Sequence, residues 1–179
     1  MDTIDIIEQT FSKSDANNFR DYCLSENDKQ LVQNCMRNAL SRLPYNPYYC
    51  VHLNAILWKE IRNKLSLPVY MVAGCLEINN HRIFGDDSTN HSSVFSRSQP
   101  FDGHCWVAIG GNYIIEISLF RTLDNVSPLS STKRYIEQKN QEKLPGAMMT
   151  HQTKFLSSSM NYIPKYILSE SEINNLILE

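Results

Sequence analysis

Long apolar runs are missing from this chain of 179 residues. No stretch approaches the ~20 consecutive apolar residues that span a bilayer, so no membrane partner is expected. The opening residues Met1-Asp2-Thr3-Ile4-Asp5 are acidic. They lack the basic start and apolar stretch of a signal peptide. The expected location is therefore the cytoplasm, although export by a specialised secretion machine would leave no mark here. An excess of one charge is missing too: 17 basic against 19 acidic residues leave a net charge of −2. With no long basic run either, no nucleic-acid partner is expected. The five cysteines, Cys23, Cys35, Cys50, Cys75 and Cys105, are odd in number and include no Cys-x-x-Cys pair. That spacing argues against a zinc ribbon, and the absent export signal argues for reduced thiols. Internal repeats and low-complexity segments are absent.

What is present suits one domain over 1–179 with its own core. It divides into N-terminal helices over 1–44, a core over 45–118 and a C-terminal extension over 119–179. A short helix is expected around Ile4–Glu8. A longer one starts near Ser25 or Asn27, with Leu31, Val32, Cys35, Met36, Ala39, Leu40 and Leu43 on one stripe, and stops at Pro44. The next helix runs from about Cys50 to Leu65. Its expected inner positions are Leu53, Ile56, Leu57, Ile61 and Leu65, with Lys59, Glu60, Arg62 and Lys64 outside. Val69–Ala73 reads as a buried strand continuing past Gly74, a possible bulge, to Ile78. A long polar loop over 79–103, with a short strand at Arg82–Phe84, leads to a hairpin of His104–Ile109 and Tyr113–Ser118. A three-residue Gly110-Gly111-Asn112 loop pairs Trp106 with Glu116 and makes His104 and Glu116 diagonal neighbours on one face. A charged helix is expected over 133–143, an edge strand over Tyr162–Ile167, and a final helix capped by Ser169 with Glu172 three residues on. The expected fold class is α+β, a Cys-bearing helix packed on an antiparallel sheet.

Three residues in this pattern carry chemistry. Cys50 opens a helix, where unpaired N–H groups and the dipole favour a thiolate. His104 opens a strand and can take the thiol proton. Glu116 lies in Ile-Ile-Glu-Ile-Ser, where a buried carboxylate needs a partner such as an imidazole. Asp102 is the rival orienting group, two residues before His104 in a loop. Asn46 or the Tyr49 hydroxyl is a candidate second oxyanion donor beside the Cys50 N–H, and Trp106 is expected near the His. These three complete the expected substrate-facing set. Cys105 alternates away from His104. His52 is expected at the surface. His81, His91 and His104 lack ligand spacing, so no metal and no cofactor are expected.

The block from Tyr49 to Ser118 resembles the transglutaminase-like branch of the papain-like cysteine enzymes. The matching stretches are Cys50-Val51-His52-Leu53-Asn54-Ala55, Leu65-Ser66-Leu67-Pro68-Val69-Tyr70-Met71-Val72-Ala73-Gly74, His104-Cys105-Trp106-Val107 and Ile115-Glu116-Ile117-Ser118. Glu116 stands where that family usually has Asp. The Arg-Gly-Gly-x-Cys pattern of arylamine N-acetyltransferases and the Cys-Gly-Ser-Cys-Trp pattern of papain relatives are absent. The resemblance implies a papain-like core and a Cys50–His104–Glu116 triad. Such a triad acts on an amide or ester in a protein, peptide or small molecule, by hydrolysis, deamidation or acyl transfer. The alternatives are a binding or adaptor protein with a silent triad, or a metal-dependent hydrolase.

Overall fold

The computed structural model describes residues 1–46, 49–89, 101–119, 121–122, 147–157 and 160–178. The expected helix over 133–143 lies outside them. The described residues form an α+β fold around one antiparallel sheet. The first three helices, α1 (Thr3–Thr10), α2 (Lys13–Asp21) and α3 (Glu26–Arg42), open with polar N-caps at Asp2, Ser12 and Ser25. Asp2–Asp5 and Ser25–Asp28 form reciprocal capping boxes. Helix α4 (Cys50–Lys64) is followed by β1 (Val69–Ile78), β2 (His81–Phe84), β3 (His104–Ile109) and β4 (Tyr113–Glu116). Then come β5 (Met148–His151), α5 (Gln152–Ser157), β6 (Met160–Ile167) and α6 (Glu170–Leu178). Among the described residues no helix is long and apolar enough to cross a membrane.

Strand β1 is the organising element. It pairs with β6 along one edge. Along the other it pairs first with β3, from Val69 to Gly74, and then with β2, from Leu76 to Ile78. Strand β4 joins β3, and β5 joins β4. Side-chain alternation sorts the core onto two faces. Met71, Ala73, Cys105, Val107, Ile109 and Ile115 pack with Leu53, Leu57 and Ile61 of α4, Val32 and Cys35 of α3, and Ile173 of α6. Val72, Leu76, Trp106, Ala108 and Ile114 pack with Ile6 and Ile7 of α1 and Phe19 of α2.

The register shifts between Ala73 and Gly74 against β6, the bulge that the glycine suggests. A Cβ at Gly74 would lie 2.1 Å from the Ile163 carbonyl oxygen. Gly74→Ala is therefore expected to destabilise the protein by ~1–3 kcal/mol, the usual scale of overpacking. A lowered urea midpoint at unchanged m-value would show it, and an unmoved midpoint would contradict it.

Two expected side-chain positions are corrected. Leu31 is 37% exposed, because the buried stripe of α3 runs through Val32, Cys35, Met36 and Ala39. Glu60 is 7% exposed rather than outside. It can sit there because it is paired with Arg42 and, at 2.5 Å, with Lys64, two cations that replace its lost hydration.

Candidate active site

The β3–β4 hairpin sets the geometry of the site. Ile109 pairs with Tyr113, leaving the three-residue loop Gly110-Gly111-Asn112. Gly111 and Asn112 adopt positive φ of 74° and 59°, as such a loop demands. That register places His104 and Glu116 on the Trp106 face, and His104 Nε2 lies 2.5 Å from Glu116 Oε2. Asp102 is exposed, and its backbone oxygen accepts from Thr89 Oγ1 at 3.2 Å. The carboxylate bonded to His104 is that of Glu116.

Glu116 is wholly buried yet fully served. Oε2 takes His104 Nε2 and the Tyr162 hydroxyl, the latter at 3.3 Å. Oε1 takes the N–H groups of Ser118 and Leu119, both at 2.8 Å, and the Ser118 hydroxyl at 3.1 Å. Desolvation pushes the carboxyl pKa up, but His104 and the two backbone N–H groups outweigh it and hold the pKa below the ordinary value. Glu116 is thus an ionised acceptor at neutral pH. The proton in the short contact then belongs to His104 Nε2, which leaves Nδ1 as the ring nitrogen able to accept one.

Aromatic rings enclose the imidazole. Phe84 of β2 stacks on it at 5.3 Å, while Tyr162 and Trp106 lie 6.1 and 6.2 Å away. Trp106 is 0% exposed, so it forms the wall behind His104 and has no surface open to a ligand. Its Nε1 has no partner among the described residues. Tyr49, half-buried at the start of α4, packs edge-on against His52 at 5.9 Å and makes no side-chain cap. Asn46 is half-buried, and its carbonyl accepts the Tyr49 N–H at 3.4 Å. His52 is half-buried, with a buried Nδ1 that has no partner among the described residues.

Cys50 begins α4, whose axis lies on the opposite face, against Cys105. Strands β3 and β4 cease to pair beyond Val107 and Ile115, and the first turn of α4 occupies the gap. The Cys105 N–H lowers the Cys50 thiol pKa, and the Cys105 carbonyl accepts from Asn54 Nδ2 at 2.8 Å. An N–H and a C=O leaving a strand on the same side are the groups that would have joined the next rung of the ladder. Asn54 Nδ2 also donates to the Cys50 carbonyl at 2.8 Å and to Ser118 Oγ at 3.3 Å.

Burial, reinforced by the Glu116 charge, pushes the Cys50 thiol up to about 12. The N–H groups of Val51, Cys105 and Cys50 itself pull the other way without prevailing. Cys50 is itself half-buried, and desolvation by its neighbours works against the thiolate that the helix start favours. Among the described residues no hydrogen bond joins Cys50 to His104. A folded-state pKa above the ordinary thiol value means stability present below that value and lost as pH rises through the folded one. The wild type should lose stability relative to Cys50→Ser between about pH 9 and 12. Urea midpoints measured across that range check this, and a flat difference would contradict it.

Among the described residues no group of three His, Cys, Asp or Glu is placed to hold a metal ion. His91 lies outside them, and His81 is exposed on β2. Sequence reasoning did not find Phe84, Tyr162, Asn54 or Ser118. Ser118 carried a signal, since a hydroxyl two residues after a buried carboxylate can turn back to it. Compared with known proteins, the chain matches no family model, no curated protein and no solved structure.

Proposed function

We propose that this chain performs cysteine-nucleophile acyl chemistry on an amide or ester, with Cys50 as nucleophile, His104 as base and Glu116 as the group that orients it. One observation carries this reading. A wholly buried carboxylate with five donors holds an imidazole that is 1% exposed, at the strand start that meets the Cys-bearing helix. A buried carboxylate held by polar partners seldom adds net stability over apolar residues of equal volume, so its presence favours a chemical role. The order of the three groups, and the α+β frame around them, agree with the transglutaminase-like resemblance and a papain-like core.

The steps follow from the protonation states. A substrate carbonyl enters beside Cys50, and His104 Nδ1 takes the thiol proton as sulfur attacks the carbonyl carbon. The oxyanion accepts from N–H groups at the start of α4, with Asn46 or the Tyr49 hydroxyl as the second donor. The imidazolium, steadied by ionised Glu116, returns its proton to the leaving amine or alkoxide. Water or an amine then releases the acyl group from sulfur. No cofactor takes part. With the thiol pushed up to about 12, sulfur attack depends on His104 taking its proton.

A second reading has its own observation. A thiol pushed up to about 12, with no hydrogen bond to His104 among the described residues, suits a binding protein whose triad is silent. Pre-steady-state release of nitrophenolate from p-nitrophenyl esters separates the two. The enzyme shows a burst stoichiometric with protein that Cys50→Ala abolishes. The silent scaffold shows the same slow release with and without the thiol.

A further inference from the structure

We propose that Asn54 and Ser118 form a buried brace that sets the nucleophile against its base, and that both are positioning residues for the chemistry at Cys50. The inference rests on the reading above and extends it to residues outside the triad. Asn54 stands one helical turn after Cys50 and is 0% exposed. Its amide nitrogen donates to the carbonyls of Cys50 and Cys105, both at 2.8 Å, and reaches Ser118 Oγ at 3.3 Å. The Ser118 hydroxyl donates onward to Glu116 Oε1 at 3.1 Å, and Glu116 Oε2 holds His104. A chain of polar contacts thus runs from the backbone of the nucleophile to the carboxylate that orients the base, through the 3.3 Å Asn54–Ser118 step, in which Ser118 Oγ shares an amide hydrogen already given to a carbonyl. It crosses the gap where β3 and β4 no longer pair.

Local structure does not require this arrangement. Asn54 lies inside a helix, where an apolar residue would fill the same space. Its Oδ1 is buried without a partner among the described residues. Turning the amide would set that oxygen against two carbonyl oxygens, so the orientation is fixed and the unpaired atom is retained. What the side chain provides is a defined spacing between the start of α4 and the start of β3. Reactive groups displaced by about 1 Å lose roughly 10²-fold in rate.

The test is the burst rate constant with a p-nitrophenyl ester for wild type, Asn54→Ala, Ser118→Ala, the double variant and Ser118→Thr, each with its melting temperature. Asn54→Ala and Ser118→Ala are each expected to slow the burst by about 10²-fold. The double variant should be no slower than the worse single one, because both break the same brace. Ser118→Thr, which keeps the hydroxyl, should restore the rate. Ser118→Ala should also move the acid limb of the rate profile to higher pH, since Glu116 loses one of its donors. Should Asn54→Ala fail to fold, Ser118→Ala with its Thr rescue decides the matter. Wild-type burst rates in the single variants, whatever their melting temperatures, would overturn the brace and leave the triad reading standing. No burst in the wild type itself would defeat the triad reading, and the brace with it.

Discussion

Glu116→Gln is expected to lower the rate of Cys50 acylation by roughly 10⁴-fold, the scale seen when an orienting carboxylate becomes an amide. The reason is which end of the amide goes where. The N–H groups of Ser118 and Leu119 are fixed in the backbone and demand an oxygen at the Oε1 position. The amide nitrogen is then left facing His104 Nε2 and the Tyr162 hydroxyl. Two donors cannot share a hydrogen, so the imidazole proton moves to Nδ1 and the base is lost. The fold should survive, weakened by about 1.5–3 kcal/mol for the lost charged hydrogen bond. The pH dependence supplies a sign. The Glu116 pKa is depressed in the folded state, so its contribution is present above the ordinary carboxylate value and lost as pH falls through the folded one. Wild type should lose stability in that acidic window, and Glu116→Gln should lose less. Acylation within tenfold of wild type would remove Glu116 from the triad.

His104→Ala should have the larger combined effect. Acylation should fall by about 10⁶-fold, as when a nucleophile's base is deleted, because the thiol, pushed up to about 12, then has no positioned base. The protein should also lose about 1.5–3 kcal/mol, since a buried carboxylate loses a charged hydrogen bond. Among the described residues, the Tyr162 hydroxyl alone would remain on Oε2. The double variant His104→Ala with Glu116→Gln should recover part of that stability and none of the rate. Equal stability of single and double variants, by urea denaturation, would contradict the account of the buried pair.

Much of this site is written in short-range pattern. The capping signals at Ser25 and Ser169, the Gly110-Gly111-Asn112 loop and the resulting diagonal of His104 and Glu116 follow from local rules of turns and strand alternation. So does Cys105 facing away from His104. Helix α2 leaves no periodic stripe, because its buried residues are only Ala16 and Phe19. Strand β5, Met-Met-Thr-His, has every residue half-buried and so no alternation to detect. Tyr162 reaches Glu116 from 46 residues away, a meeting set by the β1–β6 pairing that no local pattern encodes. The upward push on the Cys50 thiol has a similar origin. The helix start is local and legible, whereas the desolvation that outweighs it comes from the sheet face against which α4 packs.

In the proposed mechanism Cys50 reacts because His104 activates it toward an acyl-like carbon. Its most direct test is peptide mapping after brief exposure of native protein to an N-acyl amino-acid chloromethyl ketone, beside His104→Ala and Cys50→Ala. The account predicts modification of Cys50 ahead of exposed Cys23 and buried Cys35 in the wild type. It predicts loss of that preference in His104→Ala, with no adduct gained elsewhere in Cys50→Ala. Labelling that falls on Cys23 while Cys50 stays no more reactive than Cys35, or that proceeds at Cys50 equally well without His104, would contradict it.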